Sequence, residues 1–356
     1  MILTDAYNCN HEKGNSVTIV IPTYKRADLL PYVLSALKRQ TCKDFDVVVV
    51  VKPSGDGTEE ILRQASSFLK VNMVIQTKGH FVDACFLGAK NSTGDIVAFL
   101  DDDAVPEDNW LEETVKIFKR SGAGAVTGDS VPVLLKNGKI QVIEENEIPS
   151  VLSHYEFAWF GRPLKGLEEY KNSIADSGLV YERGNNAYWR KRGAAKALPR
   201  GPSMAVSGKF MRNLDFPASD WILGCSWEMM VGWHLRKQGF LMLYNPSVRV
   251  FHIVHGRTAS RDFLSPRIDL LWAVEAELLF YRLYLNEPEF TILKRLKSDL
   301  VRVVHTIKYM RTNSKYYVGK LKGIFVGNII GAKWIIYKTI GVSYSPLIDL
   351  ERLRSK

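Results

Sequence analysis

Ile96-Val97-Ala98-Phe99-Leu100-Asp101-Asp102-Asp103 decides how this chain is read. Five consecutive apolar residues predict a strand buried on both faces, and three carboxylates follow where that strand emerges. Adjacent like charges repel, so the cluster is costly unless solvent or a cation neutralises it. A hard divalent ion with oxygen ligands would do so, and the ion would in turn hold a diphosphate. The same residues also fit an acidic loop that merely ends a strand. Their neighbours separate the two readings.

Upstream, Val17-Thr18-Ile19-Val20-Ile21-Pro22-Thr23-Tyr24-Lys25-Arg26 reads as a buried strand stopped by proline and followed by a basic turn. Leu30, Val33, Leu34 and Leu37 recur at helical spacing, with Pro31 tolerable in the first turn. Phe45 to Val51 predicts a second strand, and Pro53-Ser54-Gly55-Asp56-Gly57-Thr58 a turn into a helix from about Glu59 to Leu69. Val71 to Gln76 and Ile96 to Leu100 supply a third and a fourth strand. Such alternation predicts an α/β fold, a mostly parallel sheet wound by helices, with ligands at the carboxyl ends of the strands. Thr23–Arg26 and Asp101–Asp103 both fall at such ends.

Together with Ser54–Thr58, Gly94-Asp95, Gly184-Asn185-Asn186-Ala187-Tyr188-Trp189-Arg190-Lys191, and Trp227-Glu228 followed by His234–Phe240, these stretches resemble the family 2 inverting glycosyltransferases of GT-A fold. The resemblance covers residues of about 17 to 255. It implies a Rossmann-like GT-A domain, a nucleotide-diphosphate sugar donor, a glycan or lipid-linked acceptor hydroxyl, and a divalent cation, Mn²⁺ or Mg²⁺. It implies that Asp103 ligates the metal, that Asp101 contacts the metal or the donor ribose, and that His252 completes the metal shell or touches the diphosphate. Pro22, Thr23, Tyr24 and Arg26 would border the nucleotide. Asp102 is either a further donor contact or solvated.

Two positions depart from the family pattern. Members that bind uridine carry an aspartate just after the second strand, where this chain has Val51-Lys52. A lysine has donors and no acceptor, so it cannot take the base N–H. Lys52 then contacts phosphate or is a solvated strand end. Asp83 is a substitute nucleotide contact or a helix cap. The second departure is Trp227-Glu228, which stands where the family carries a Glu-Asp pair. Glu228 is the expected catalytic base. With Ser226 as cap of a helix running to Gly239, it lies in the first turn, where the dipole favours its ionised form. The competing role is helix stabilisation alone. His252 and His255 lie on one predicted strand and point to opposite faces, so one of them can serve the site.

The expected organisation is an N-terminal extension at 1–16, a glycosyltransferase domain at 17–265 and a basic amphipathic helical extension at 266–356. The domain divides into a nucleotide-sugar half, about 17–130, and an acceptor half, about 131–265. Tyr155, Phe157, Trp159, Phe160 and Arg162 of the acceptor half could stack on sugar rings or pack a core. Helical spacing resumes at Ile268, Leu271, Trp272, Glu275 and Leu279, and Pro288 separates that helix from one carrying Ile292, Leu296 and Leu300.

Charge gives a clue about place. The 356 residues hold 48 Lys+Arg and 38 Asp+Glu, a net of +10. Residues 291–356 hold fourteen Lys/Arg against Asp299, Asp349 and Glu351, a net of +11, so the remainder is near neutral. Basic, aromatic and apolar together, this tail predicts contact with an anionic membrane surface, and charges interrupt it too often for a spanning helix. Helices packed on the catalytic domain are the alternative. Nucleic acid is disfavoured because no recognition module accompanies the charge.

The N-terminus lacks the pattern of a secretory signal, and Cys9, Cys42, Cys85 and Cys225 are scattered, which suits a cytoplasmic protein peripheral to the membrane. The Gln-x-x-Arg-Trp pattern of processive synthases is missing, which favours single addition. A sugar nucleotidyltransferase and a non-catalytic binding protein that kept the fold are the competing readings. The first would need a glycine-rich start followed by Arg and Lys, which this chain lacks. The second draws on Lys52 and Trp227.

Overall fold

The computed structural model describes residues 16–147, 160–254, 266–309 and 314–355. Its strands are β1 (Val17–Thr23), β2 (Phe45–Val51), β3 (Val71–Ile75), β4 (Ile96–Leu100), β5 (Ala104–Pro106), β6 (Ala125–Lys136), β7 (Lys139–Val142), β8 (Asn172–Ile174), β9 (Val180–Glu182), β10 (Ala195–Lys196), β11 (Ser203–Ser207) and β12 (Met242–Ile253). Its helices are α1 (Leu30–Arg39), α2 (Thr58–Ala65), α3 (Phe81–Lys90), α4 (Trp110–Ser121), α5 (Asn186–Arg192), α6 (Gly208–Asn213), α7 (Trp227–Lys237), α8 (Pro266–Tyr284), α9 (Ile292–Tyr309), α10 (Ser314–Thr339) and α11 (Leu347–Ser355).

The main sheet runs β10-β12-β6-β11-β4-β1-β2-β3, with β5 on β12 and β7 on β6. Pairs β1–β2, β1–β4, β2–β3 and β6–β12 are parallel, whereas β11 is antiparallel to both β4 and β6. β1 is central, and all seven of its residues are buried, Thr18 and Thr23 together with the apolar five. Each such Val or Ile contributes about 1.5–3 kcal/mol relative to exposure. One pairing matters most for the site. β1 aligns Val20 with Phe99 of β4, and continuing that register past the strand ends brings Thr23 beside Asp102.

α1 and the first four strands form where the apolar spacing predicts them. α2 stops at Ala65 rather than near Leu69. The hydroxyls of Ser66 and Ser67 bond back to the Leu62 and Gln64 carbonyls, and such local bonds compete with helix continuation.

The expected boundaries at 130 and 266 do not mark physical divisions. Residue 130 lies inside β6, a single twelve-residue strand at the heart of the sheet. Leu279, Phe280, Tyr281 and Leu283 of α8 share one core with Val20, Val48 and Phe99, so this helix is part of the same body as the sheet. α10 then packs on α8 through a glycine stripe: a Cβ at Gly323, Gly327 or Gly331 would meet Ala273, Glu277 or Tyr281 at 2.1–2.5 Å. No helix among the described residues is long and apolar enough to cross a membrane. His255, Tyr155, Phe157 and Trp159 lie outside the described residues.

Candidate active site

The carboxyl ends of β1 and β4 open into a cavity of ≈ 1340 Å³, ample for a nucleotide sugar. Pro22, Thr23, Tyr24 and Arg26 line it from β1, and Asp101, Asp102 and Asp103 from β4. In the loop after β1, the Lys25 backbone sits at φ 58°, in the left-handed region. A non-glycine residue there stores about 1–3 kcal/mol of strain, a cost that clusters at functional sites.

Asp103 is buried, and its carboxylate meets the His252 Nε2 at 3.1 Å. β12 achieves this by pairing His252 with Ala104 of β5, directly after the acidic turn. Asp101, Asp103 and His252 each offer one ligand atom, and those atoms lie within 4.8 Å of one another. Two hard carboxylate oxygens and one imidazole nitrogen form a donor set that suits Mn²⁺ or Mg²⁺.

Asp102 is not solvated: its side chain is largely buried and lies 3.5 Å from the Arg26 guanidinium. Burial and then the charge of Asp103 push its carboxyl up to about 8, with Arg26 opposing. Burial and Asp103 likewise raise Asp101 to about 6, with His252 and Arg26 opposing. Burial is the larger cause of both shifts and the crowding of like charge the second, and Arg26 does not cancel them.

Glu228 faces the same cavity from the first turn of α7. Two expectations about it fail. Ser226 makes no side-chain cap, because its backbone is left-handed (φ 63°) rather than extended. Nor does the helix dipole keep the carboxylate acidic: burial, followed by the charge of Asp101, raises Glu228 to about 8. Trp227, odd against the family pattern, is the anchor that fixes this position. It is buried and packs edge-on against Phe81, Phe86, Phe99 and Phe216, with ring centroids 5.6–6.5 Å away. Behind it, the buried Glu275 carboxylate of α8 accepts the backbone N–H groups of Ile222, Leu223 and Cys225.

Asp83 is corrected. Its carboxylate accepts the His80 backbone N–H at 2.8 Å in a capping box at the start of α3, and it is absent from the cavity wall. Lys52 does line the cavity, where its ammonium donates to the Gly79 carbonyl at 2.9 Å and lies 5.7 Å from the centre of the Tyr24 ring. Ser54–Thr58 lies off the cavity: Asp56 accepts from Ala27 N, Ser54 Oγ and Thr58 Oγ1, tying the two loops together. In the later motif, Asn185 caps α5 by accepting from Tyr188 N, and Asn186 reaches Ser130. Arg190 joins Arg249 on the fully buried Asp129.

Several cavity residues carried no sequence signal. Lys171 and Arg200 both pair with Glu182, and Arg200 is near enough to oppose the rise at Glu228. Arg354 arrives from α11, whose Glu351 meets His80 Nε2 at 2.7 Å. Only the fold brings such distant residues together.

Residues 18–166 match the family model for Glycosyl transferase family 2. Those residues form a family 2 glycosyltransferase domain. The chain is 35% identical over 118 residues to glycosyltransferase AglE of Haloferax volcanii, covering 32% of this chain and 38% of that protein. It is 32% identical over 168 residues to the amylovoran biosynthesis glycosyltransferase AmsB of Erwinia amylovora, covering 46% of this chain and 50% of that one. The matches thus span half or less of these relatives' own length. The solved structure of GalNAc-T7 with UDP, GalNAc and Mn²⁺ superposes with a TM-score of 0.51 at 12% identity, covering 85% of this chain and 57% of that one. The glycosyltransferase domain has the GT-A fold.

Proposed function

We propose that the chain is a metal-dependent, inverting, single-addition glycosyltransferase. It would move one sugar from a nucleotide-diphosphate donor to an acceptor hydroxyl of a surface or lipid-linked glycan, at the cytoplasmic face of a membrane. One observation carries this reading: the Asp101–Asp103–His252 cluster and Glu228 border a single cavity. Asp101, Asp103 and His252 would hold the ion, which offsets charge developing on the departing diphosphate. Arg26, itself tied to Asp102, borders the same end of the cavity and adds a fixed positive charge there. The half-exposed Tyr24 ring offers a stacking face for a base. Glu228 takes the proton of the acceptor hydroxyl, and attack from the face opposite the leaving diphosphate inverts the anomeric centre. Its raised pKa makes it a stronger base than an ordinary carboxylate once ionised. Lys52 speaks against uridine recognition through an acidic side chain at that position.

The test is a thermal-shift screen of the purified protein against UDP-, GDP- and dTDP-sugars with Mn²⁺. Transfer or donor hydrolysis by wild type, Glu228→Gln and Asp103→Ala follows with the donor it selects. Wild-type turnover by both variants would refute the assignment. Nucleotide-sugar binding without any turnover would favour the binding-protein reading.

A further inference from the structure

α9 is turned inside out. Arg295, Ser298, Asp299 and Thr306 are buried, while Leu293, Leu296, Leu300, Val304 and Ile307 are 77, 59, 64, 60 and 56% exposed. At about 100° per residue the five apolar residues fall within an arc of roughly 80°, opposite the buried polar side. A helix on a globular protein normally does the reverse, and continuous exposed apolar surface marks contact with another body.

The inward side explains why the helix cannot roll over. Arg295 and Arg302 both grip Glu277 of α8, and both reach Asp299, at 3.0 and 2.8 Å. Turning the leucines inward would break these pairs and leave buried charges without partners. α10 also shows apolar residues to the outside: Phe325, Ile329 and Ile336 are 60, 67 and 59% exposed, on the side away from its glycine stripe. The two helices pack against each other.

We propose that the outward face of α9, with the apolar stripe of α10, docks on an anionic lipid bilayer, the helix axis lying along the membrane plane. Charge selects this occupant. Residues 291–356 carry a net of +11, and exposed Lys297 and Lys308 run along one edge of the apolar arc of α9, at headgroup level in this pose. A second copy of the chain would bring the same positive field and repel. The inference deepens the membrane part of the proposed function and stands apart from the assignment of glycosyl transfer.

The experiment is flotation of the full chain with phosphatidylcholine vesicles, with or without about 30% phosphatidylglycerol. Wild type floats with the anionic vesicles only, and Leu296→Glu/Leu300→Glu/Val304→Glu lowers partitioning at least about tenfold. Equal flotation of that variant would overturn the face while leaving the membrane reading intact. No flotation of wild type would overturn both. A wild-type dimer in vesicle-free buffer that the variant converts to monomer would assign the face to a second copy and overturn the proposal. An environment-sensitive fluorophore on Leu300→Cys in a Cys9→Ser background gives a second readout, independent of the triple variant. A blue shift on anionic vesicles supports the docking, and an unchanged spectrum refutes it. Transfer measured without vesicles reads the catalytic assignment separately.

Discussion

Two clusters of buried charge in this molecule are balanced differently. At the junction of α8 and α9, the carboxylates of Glu277 and Asp299 meet the guanidiniums of Arg295 and Arg302, and Asn328 adds a hydrogen bond to Asp299 at 2.9 Å. Burial works to raise Glu277, yet Arg302 and Arg295 hold its carboxyl below the usual range. At the strand tips, Asp101, Asp102, Asp103 and Glu228 share one cavity, where Arg26 is paired with Asp102 and Arg200 with Glu182. There the carboxyls of Asp101, Asp102 and Glu228 are all pushed up. A cluster whose charges cancel is structure. One whose buried carboxylates crowd together without cations to hold them ionised is costly to the empty protein, and an added cation would relieve it.

The largest expected effect would break or secure that contrast. Glu228→Gln and Asp103→Ala should each lower kcat by about 10²–10⁴, with donor turnover as the readout. Glu277→Ala should instead cost about 3–5 kcal/mol of stability by leaving two buried guanidiniums to share the single carboxylate of Asp299. In urea melts of the ion-free protein, Asp103→Ala should cost far less, because it removes one of several repelling charges. Equal losses for the two variants would erase the distinction.

Mn²⁺ sharpens the comparison further. At a hundredfold excess over Kd it should stabilise the wild type by about 2.7 kcal/mol, and Asp103→Ala should not respond. A response of equal size in both proteins would place the ion elsewhere.

The pH dependence follows from Glu228. A base acts when ionised, so kcat/KM should rise with pH through its pKa, which lies near 8 before any cation binds. A cation beside Asp101 pulls that value down. With saturating Mn²⁺ the midpoint should therefore lie above 4.5, the ordinary glutamate value, and below about 8. A flat profile in the wild type would remove Glu228 as the base.

The smallest effect concerns Asp83. Asp83→Ala should cost about 0.5–2 kcal/mol by removing the acceptor of the His80 N–H, with donor KM unchanged. A raised KM would return Asp83 to the donor site.

Much of the amino-terminal part was legible because β1, β2 and β4 carry runs of three to five apolar residues and three acids follow β4 directly. That pattern marked Asp101–Asp103 as a crowded acidic tip, and the metal roles of Asp103 and Asp101 came from the family resemblance. The environment of Glu228 could not be, since its pKa depends on Trp227 packing among Phe81, Phe86, Phe99 and Phe216 and on the nearby charge of Asp101. Asp83 shows the opposite failure: an acid three residues after His80 fits a cap and a ligand equally well, and only its hydrogen bond decides. The tail misled in another way. Its charge and apolar content were plain, but α8, at the start of the extension expected at 266–356, shares a core with the sheet.

The order of residues determined where strands and helices form and where carboxylates crowd, because apolar period and local repulsion are properties of short segments. Tertiary structure alone decided that His252 reaches Asp103, that Arg354 comes to the cavity, and that α9 turns its leucines outward. Those outcomes depend on pairing, packing and ion pairs between residues far apart in the chain, and no local pattern records them.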